Sequence, residues 1–152
     1  MDNIQIIVKK TDELSPKELL NIFEERVRVF VVEQNCAYQE VDIKDYSATH
    51  VILKSDGKLV AYARIVSSDN AQYVSFGRVL VPKKYRNLHL GRKLIETTLA
   101  AIKRLYPDKG VKIAGQEYLK DFYSSFGFKP VSEVYLEDGL PHIDMILEND
   151  NF

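Results

Sequence analysis

The chain has 152 residues, of which 45% are hydrophobic and 28% are charged, the size and composition of one ordinary globular domain. This composition excludes an intrinsically disordered chain, a collagen-like repeat and a coiled coil. Its 21 basic and 22 acidic residues leave a formal charge of −1, so no global field favours nucleic acid or an anionic membrane as a partner. We expect a single domain over residues 1–152, in which any anion-binding site is local.

The distribution of cysteine and histidine limits the possible site chemistry. Cys36 is the only cysteine, which excludes an intrachain disulfide and a metal site built on paired cysteines. The three histidines are far apart in the sequence and lack metal-ligand spacing, so we expect no metal. The N-terminal residues show no signal-peptide pattern, and no apolar run is long enough to span a bilayer. These features predict a cytoplasmic protein.

The first elements are predicted from hydrophobic periodicity and a helix-start pattern. Residues 4–8 predict a strand. Ser15, Pro16 and Glu18 predict a helix start, because serine caps the first turn, proline suits its first position and the glutamate completes a capping box. The helix is expected to run to about Glu33 and to bury a stripe of six apolar side chains: Leu19, Leu20, Phe23, Val27, Phe30 and Val31.

A long polar segment and an antiparallel meander are predicted next. Residues 34–47 are irregular, which predicts a loop long enough to line a site. Three β-rich runs follow, over residues 50–54, 58–66 and 72–81. The Asp56-Gly57 pair between the first two supplies the positive φ angles of a tight hairpin. Pro82 ends the third strand, because proline has no N–H to donate to the ladder.

The C-terminal half alternates between helix and strand. It predicts a helix over residues 91–105, a strand over 111–115, a short helix over 119–126 and a last hairpin formed by 128–135 and 143–147. The element order is therefore βαβββαβαββ. A strand, a helix and a strand after an antiparallel meander indicate an α+β fold, with helices flanking a mixed, mostly antiparallel central sheet.

The densest chemical pattern is the loop between the third meander strand and the next helix. Five cations fall within eleven residues there: Lys83, Lys84, Arg86, Arg92 and Lys93. A helix N-terminus has unpaired backbone N–H groups and a partial positive charge, and it therefore binds phosphate. The added cations favour a ligand with several phosphates. A solvated basic surface is the alternative interpretation, because lysine-rich surface loops are common.

The segment Arg86-Asn87-Leu88-His89-Leu90-Gly91 resembles the acetyl-CoA pyrophosphate loop of the Gcn5-related N-acetyltransferase (GNAT) superfamily, whose pattern is Gln/Arg-x-x-Gly-x-Gly/Ala. Arg86 and Gly91 match this pattern, whereas His89 stands at the first glycine. Glycine adopts left-handed backbone angles freely and lets a phosphate approach closely, and histidine does so less readily. Two outcomes stay open: an altered but working loop, or a cradle that His89 blocks.

A second segment, residues 119–128, resembles the Phe-Tyr-x-x-x-Gly-Phe segment of the same superfamily. Tyr123 takes the place of the tyrosine, and the resemblance implies that its hydroxyl protonates the leaving CoA thiolate as a general acid. A phenol with an ordinary pKa of about 10 is protonated at neutral pH and can make this transfer. Without the neighbouring loop, Tyr123 would be interpreted as part of an aromatic core cluster.

Residues 28–42 and 137–143 are similar to the ElaA-like group of the superfamily. The resemblance implies the acyl-CoA N-acyltransferase fold and an N-acetyltransferase that transfers the acetyl group of acetyl-CoA to a primary amine. The amine belongs to a small molecule or a peptide and attacks the thioester directly, so Cys36 is not needed. A module of the same fold that binds acyl-CoA without turnover is the alternative. A homodimer stays open, since the superfamily often dimerises.

The resemblance also implies where acetyl-CoA binds. Its pantetheine arm would pair with the third meander strand, and its pyrophosphate would meet N–H groups of residues 88–92. The expected cofactor-binding residues are Val79, Leu80, Val81, Arg86, Asn87, Leu88, His89, Leu90, Gly91 and Arg92. An ammonium acceptor must lose a proton before attack, which requires a base or a water chain. Glu33 and His142 are the leading candidates, because they border the acceptor side in this fold and a histidine titrates near neutrality.

Overall fold

The computed structural model describes residues 3–152. Its strands are β1 (Gln5–Lys10), β2 (Thr49–Ser55), β3 (Lys58–Ser67), β4 (Tyr73–Leu80), β5 (Gly110–Gln116), β6 (Lys129–Pro130), β7 (Tyr135–Glu137) and β8 (Leu140–Leu147). They form one sheet in the order β1-β2-β3-β4-β5-β8-β6, and β7 also pairs with β8. Only the β4–β5 pair in this described sheet is parallel. The predicted mixed, mostly antiparallel sheet is confirmed.

Helices cover both faces of the sheet. They are α1 (Pro16–Arg26), which a π-helical turn (Val27–Glu33) continues, α2 (Leu90–Leu105) and α3 (Lys120–Ser124). Val51 and Leu53 of β2 pack in the core under α2 and α3, whereas Ile52 between them packs in the core under α1. This alternation follows from the two-residue period of a strand. Over residues 3–152, no helix combines the length and the apolarity that crossing a membrane requires.

The local patterns in the sequence form as predicted. The N–H of Glu18 donates to the Ser15 hydroxyl over 3.1 Å, and the Glu18 carboxylate accepts from the N–H of Ser15 over 2.8 Å. Asp56 and Gly57 have φ angles of 51° and 75° at the β2–β3 turn. Both motifs satisfy backbone groups within a few residues, so they do not depend on the rest of the fold.

The predicted buried stripe of the first helix is wrong in part. Leu20 and Val27 are 68% and 38% exposed, whereas Ile22 and Arg26 are 1% and 0% exposed. The apolar pattern assumed one uniform α-helix, but the buried face of α1 runs through Ile22 and Arg26. From Val27 onward the chain changes to π-helical geometry, which rotates only the side chains that follow. A charged residue, Arg26, takes the core-facing position because its partners lie in the following loop.

The last hairpin also differs from the prediction. Residues 128–135 do not form one strand: Lys129–Pro130 and Tyr135–Glu137 pair separately with β8. Between these two short strands the chain is not paired with β8 as a strand. There the Ser132 hydroxyl accepts the hydrogen bond from the N–H of Asp144 over 2.9 Å. A side chain thus replaces a strand partner, which a period-two pattern does not reveal.

Arg26 anchors the loop of residues 34–47 to the sheet. Its Nε donates to the Glu40 carboxylate over 2.6 Å, and its Nη1 donates to the Asp45 carboxylate over 2.7 Å. Burial raises the pKa of Asp45, but the hydrogen bonds from Arg26 and the Asp42 N–H, together with the charges of Arg26 and Arg64, outweigh burial and bring the pKa down to about 2. Both carboxylates are buried and depend on arginines for charge compensation: Glu40 on Arg26 and Arg78, and Asp45 on Arg26 and Arg64.

Replacing Arg26 with methionine is expected to lower the free energy of unfolding by about 3 to 5 kcal/mol, because it leaves buried carboxylates without this partner. The matched control is Arg28→Met two residues away, which removes the ion pairs of an arginine side chain that is 57% exposed and is expected to cost about 1 kcal/mol or less. Urea unfolding followed by circular dichroism measures both. Equal stability of the two variants would contradict the anchoring role of Arg26.

Candidate functional site

A gap in the sheet creates the candidate site. The parallel strands β4 and β5 pair only at Tyr73↔Gly110 and Val74↔Val111. Beyond these pairs β4 stays with β3 and β5 stays with β8, so the two strands separate. A cavity of about 620 Å³ lies there and is lined by residues of both strands. The inner edge of β4 is therefore left with main-chain groups that a ligand can pair with.

Gly110 permits the close contact that precedes the gap. A side chain at this position would place its Cβ 2.8 Å from the carbonyl oxygen of Leu147 and 3.0 Å from the ring of Tyr73. Both distances are too short for a real Cβ contact, so only glycine fits without a shift of its neighbours. The β4–β5 pairing therefore depends on a residue without a side chain.

A bulge in β4 sits beside the gap. The register between β3 and β4 shifts between Tyr62 and Arg64, and Arg78 on the opposite strand has a φ of 51°. A bulge of this kind inserts one residue and re-aims side chains. The Arg78 guanidinium donates from Nε to the Glu40 carboxylate over 2.9 Å. Through Arg78, the bulge therefore connects the cavity lining to the buried ion pair of Glu40 with Arg26.

His89 adopts the backbone shape that the resemblance required of glycine. Its φ and ψ are 59° and 24°, in the left-handed region, and Asn87 has a φ of 69°. His89 immediately precedes α2, and its side chain is exposed. The first-turn N–H groups of a helix have no intrahelical partners and can accept an anion. His89 thus has the left-handed backbone that glycine supplies in the pattern, directly before the first turn of α2.

Arg86 and Glu33 are paired with each other. Nη1 of Arg86 donates to the Glu33 carboxylate over 2.6 Å, and Nε of Arg86 donates to the carbonyl of Val81 over 2.9 Å. Arg92 also has a partner, since its Nη2 donates to the Ser125 hydroxyl over 2.8 Å. Glu33, a predicted base, and Arg86, a predicted phosphate-binding residue, therefore join the π-helical turn to the loop before α2.

Tyr123 belongs both to the aromatic core and to the cavity lining. Its ring lies 6.3 Å from that of Phe76 and 5.4 Å from that of Phe122, measured between centroids. A Cβ at Gly115 would come within 3.2 Å of the same ring. Burial, with a smaller contribution from Tyr118, raises the pKa of Tyr123 well above its usual value. The hydroxyl is therefore protonated at neutral pH.

His142 lines the cavity from β8. Its Nδ1 lies 2.8 Å from the carbonyl oxygen of Leu140, which can only accept, so Nδ1 carries the proton. In the neutral ring Nε2 then has a free lone pair. Nε2 lies 3.6 Å from the Glu137 carboxylate, on the turn between β7 and β8. This arrangement fixes the tautomer that a general base needs.

The structure brings most of the sequence-predicted site together. The cavity is lined by Tyr123, Glu33, His142, Val79, Leu80, Val81, Arg86 and Gly91. The other predicted cofactor residues lie on the adjoining loop and first turn of α2: Asn87, Leu88, His89, Leu90 and Arg92. No set of three His, Cys, Asp or Glu side chains over residues 3–152 is arranged to hold a metal.

Sequence reasoning missed several residues that line the same cavity. These are Tyr38, Lys44, Arg64, Arg78, Gln116 and Glu137. They lie on five different segments, and no short motif connects them. The one available indication was Arg26 within an apolar helix pattern, since a buried arginine needs acidic partners elsewhere in the chain.

Comparison with known proteins agrees with this geometry. A family model for the acetyltransferase (GNAT) domain matches residues 11–149. Protein ElaA of Escherichia coli (strain K12) is 45% identical over 139 residues, which cover 90% of this chain and 91% of that protein. A UPF0039 protein of Schizosaccharomyces pombe is 43% identical over 150 residues, which cover 97% of this chain and 99% of that protein.

Solved structures show the same fold. The crystal structure of an acyl-CoA N-acyltransferase from Pseudomonas aeruginosa has a TM-score of 0.90 at 39% identity and covers 95% of this chain and 99% of that one. The divided sheet is thus that of an acyl-CoA-dependent acyltransferase, and the chain belongs to the GNAT family. Within that family it is similar to ElaA of Escherichia coli, whose crystal structure has a TM-score of 0.90 at 42% identity over 96% of this chain and 100% of that one.

Replacing His89 with glycine is expected to change the affinity for CoA by less than about threefold, because the loop already has the left-handed shape. His89→Val is expected to weaken CoA binding about tenfold, since a β-branched residue strains at these angles and displaces the loop. Calorimetric titration with CoA measures both. A gain of tenfold or more for His89→Gly would show that the histidine obstructs the cradle.

Proposed function

We propose that this protein transfers the acetyl group of acetyl-CoA to the primary amine of a small molecule or peptide. The observation that carries the proposal is the gap between β4 and β5, which opens next to the left-handed loop at the start of α2 and next to Tyr123. An unpaired strand edge, an anion-binding helix terminus and a neutral acid suit the three parts of an acyl-CoA: its amide-containing arm, its phosphates and its thioester.

The residues of β4 would hold the arm through their main chain. Val79 and Val81 flank Leu80, whose side chain is 3% exposed and packs in the core beneath α1. The carbonyl of Val81 already accepts from Arg86, which fixes the end of the strand before a ligand arrives. Pairing along β4 would orient the thioester toward the bulge and Tyr123.

The first turn of α2 would hold the pyrophosphate. Its backbone N–H groups and partial positive charge act without any side chain, and the exposed Lys83 and Lys84 add charge nearby. Arg86 already donates from Nη1 to Glu33 and from Nε to Val81, so among the described residues only its Nη2 is left for a phosphate. We therefore assign the main phosphate contacts to the N–H groups of residues 88–92, with a positioning role and at most one phosphate contact for Arg86.

Three protons move in the proposed reaction. Nε2 of His142 accepts the first from the ammonium group of the acceptor, which frees the amine lone pair for attack on the thioester carbon. The new C–N bond forms as the C–S bond breaks, and Tyr123 gives its proton to the departing sulfur. Burial keeps Tyr123 protonated until the thiolate leaves, because its phenolate is poorly solvated in the aromatic cluster. The nitrogen then loses its second proton, which restores the Tyr123 hydroxyl, and the proton on His142 passes to solvent. Glu33 is the weaker candidate base, since its carboxylate is held by Arg86.

Calorimetric titration with acetyl-CoA tests the proposal, with ATP as the control for generic phosphate binding. Acetyl-CoA is expected to bind at least about tenfold more tightly than ATP, because β4 recognises the arm as well as the phosphates. Thiol release in the presence of amines then tests turnover. Failure to bind acetyl-CoA would overturn the proposal, and binding without thiol release from any amine would favour an acyl-CoA-binding module.

Tyr123→Phe is expected to lower kcat about a hundredfold or more while the Kd for acetyl-CoA changes less than about threefold, because the lost proton is transferred only in the transition state. Tyr46→Phe is the control, since Tyr46 is exposed and outside the cavity lining. Thiol-release kinetics and calorimetry provide the two readouts. Unchanged kcat in Tyr123→Phe would eliminate the general-acid role.

His142→Gln and Glu33→Gln separate the two candidate bases. His142→Gln is expected to lower kcat/KM about a hundredfold, because the ring nitrogen that accepts the proton is lost. Glu33→Gln is expected to act mainly on KM for acetyl-CoA, since it releases Arg86 from the π-helical turn. Steady-state kinetics distinguishes these patterns. A larger kcat loss in Glu33→Gln than in His142→Gln would instead assign the base to Glu33.

A further inference from the structure

One wall of the cavity is positively charged and has no role in the proposed acetyl transfer. Lys44, Arg64 and Arg78 line this wall, which we call the arginine wall. The carboxylates that pair with its arginines lie outside the cavity lining: Glu40, Asp42 and Asp45. The ion pairs are balanced as a whole, but the cavity lining includes their basic members and not their acidic ones. The field at the wall therefore favours an anionic group.

Within the arginine wall, Arg78 is held in place by hydrogen bonds and still has an amino group that can bind a ligand. Its Nε donates to the Glu40 carboxylate and its Nη2 to the Glu40 carbonyl, both over 2.9 Å. The guanidinium carbon also lies 5.4 Å from the centre of the Tyr38 ring, and the Tyr38 hydroxyl donates to Glu40. Within residues 3–152 the remaining amino group, Nη1, has no hydrogen-bond partner. A fixed arginine with a free N–H pair is suited to a carboxylate.

Another part of the cavity lining carries acidic side chains. Glu137 and Asp138, on the turn between β7 and β8, line it together with His142. Glu137 lies beside Nε2 of His142, so an ammonium group there meets both a carboxylate and a proton acceptor. The cavity thus has a cationic wall on β3 and β4 and an acidic wall at the β7–β8 turn. A neutral or purely cationic acceptor would leave the arginine wall unused.

We propose that the acceptor is an amine that also carries a carboxylate, which Arg78 binds while the amine faces His142. This inference rests on the proposed acetyl transfer and names its substrate class. The amine nitrogen forms the amide bond and CoA leaves as the thiol, so the carboxylate is not consumed. It orients the acceptor across the cavity, and the spacing between the two walls selects the length of the chain between amine and carboxylate.

The test compares amino acids with their amides, which keep the shape and remove the charge. 3-Aminopropanoate, 4-aminobutyrate and 6-aminohexanoate are each assayed against the corresponding amide by CoA thiol release. For the preferred chain length, the acid is expected to have a kcat/KM about ten- to a hundredfold above that of the amide, which is the effect of one charge-assisted hydrogen bond. Equal values for every pair would overturn the carboxylate assignment and leave the acetyl transfer standing.

Arg78→Gln is expected to bring the acid-to-amide ratio to about one. Glu40 keeps Arg26 as a partner in this variant, and circular dichroism checks that it is folded. Arg104→Gln, on the exposed side of α2, is the matched control and is expected to keep the wild-type ratio. An unchanged ratio in folded Arg78→Gln would contradict the role of Arg78. If Arg78→Gln does not fold, the comparison of acids with amides in the wild-type protein still tests the carboxylate assignment.

Calorimetry separates failure of this inference from failure of the proposed function. The six compounds are titrated into the protein in the presence of CoA. Binding of an acid but not of its amide, without thiol release from any amine in the acetyl-CoA assay, would support the carboxylate site and overturn the acetyl transfer. Absence of both binding and turnover for all six compounds would overturn the carboxylate site itself.

Discussion

The short parallel contact between β4 and β5 is the constraint on which the site depends. Each strand keeps an antiparallel partner on its outer side, so the sheet stays continuous even though its middle opens after two residue pairs. Gly110 allows the strands to meet before they separate. The separation leaves main-chain groups of β4 facing a cavity, and buried polar groups of this kind need water or a ligand as partners. The fold therefore supplies a binding edge without a dedicated side-chain motif.

The buried ion pairs link this cavity to the rest of the fold. Arg26 holds the loop of residues 34–47 against the sheet by binding Glu40, among other groups. Arg78, which lines the cavity, binds the same Glu40 carboxylate. His50 lies beside these charges but stays neutral, because burial lowers its pKa to about 4. Its ring nitrogens lie within hydrogen-bond distance of the Thr11 and Tyr62 hydroxyls. The charges that stabilise the loop are thus also the charges that give the cavity its polarity.

Sequence reasoning succeeded where the determining contacts are local. The capping box at Ser15, the Asp56-Gly57 turn and the periodicity of α2 all involve residues a few positions apart, and each element forms as predicted. The resemblance to the GNAT loop and to the Phe-Tyr segment placed Arg86 and Tyr123 at one site, which the cavity brings together.

The features that were not predicted depend on contacts across the fold. Arg26 is buried because partners 14 and 19 residues away compensate its charge, so hydrophobic periodicity misplaced the helix face. The pairing of Arg86 with Glu33 joins segments 53 residues apart. The family resemblance implied an opening beside the third meander strand, but the gap between β4 and β5 arises from a crossover through α2, and no pattern within either strand encodes it. Charge compensation and strand separation of this kind become visible only once the chain is folded.

Hydrogen exchange measured by mass spectrometry, with and without saturating acetyl-CoA, tests most directly whether the separated strand edge binds the acyl donor. Exchange is expected to slow in residues 75–81 of β4 and in residues 88–92 at the start of α2, because their N–H groups gain partners on binding. Exchange in β1, at the far edge of the sheet, should not change. Saturation with acetyl-CoA that leaves residues 75–81 unprotected would contradict the account.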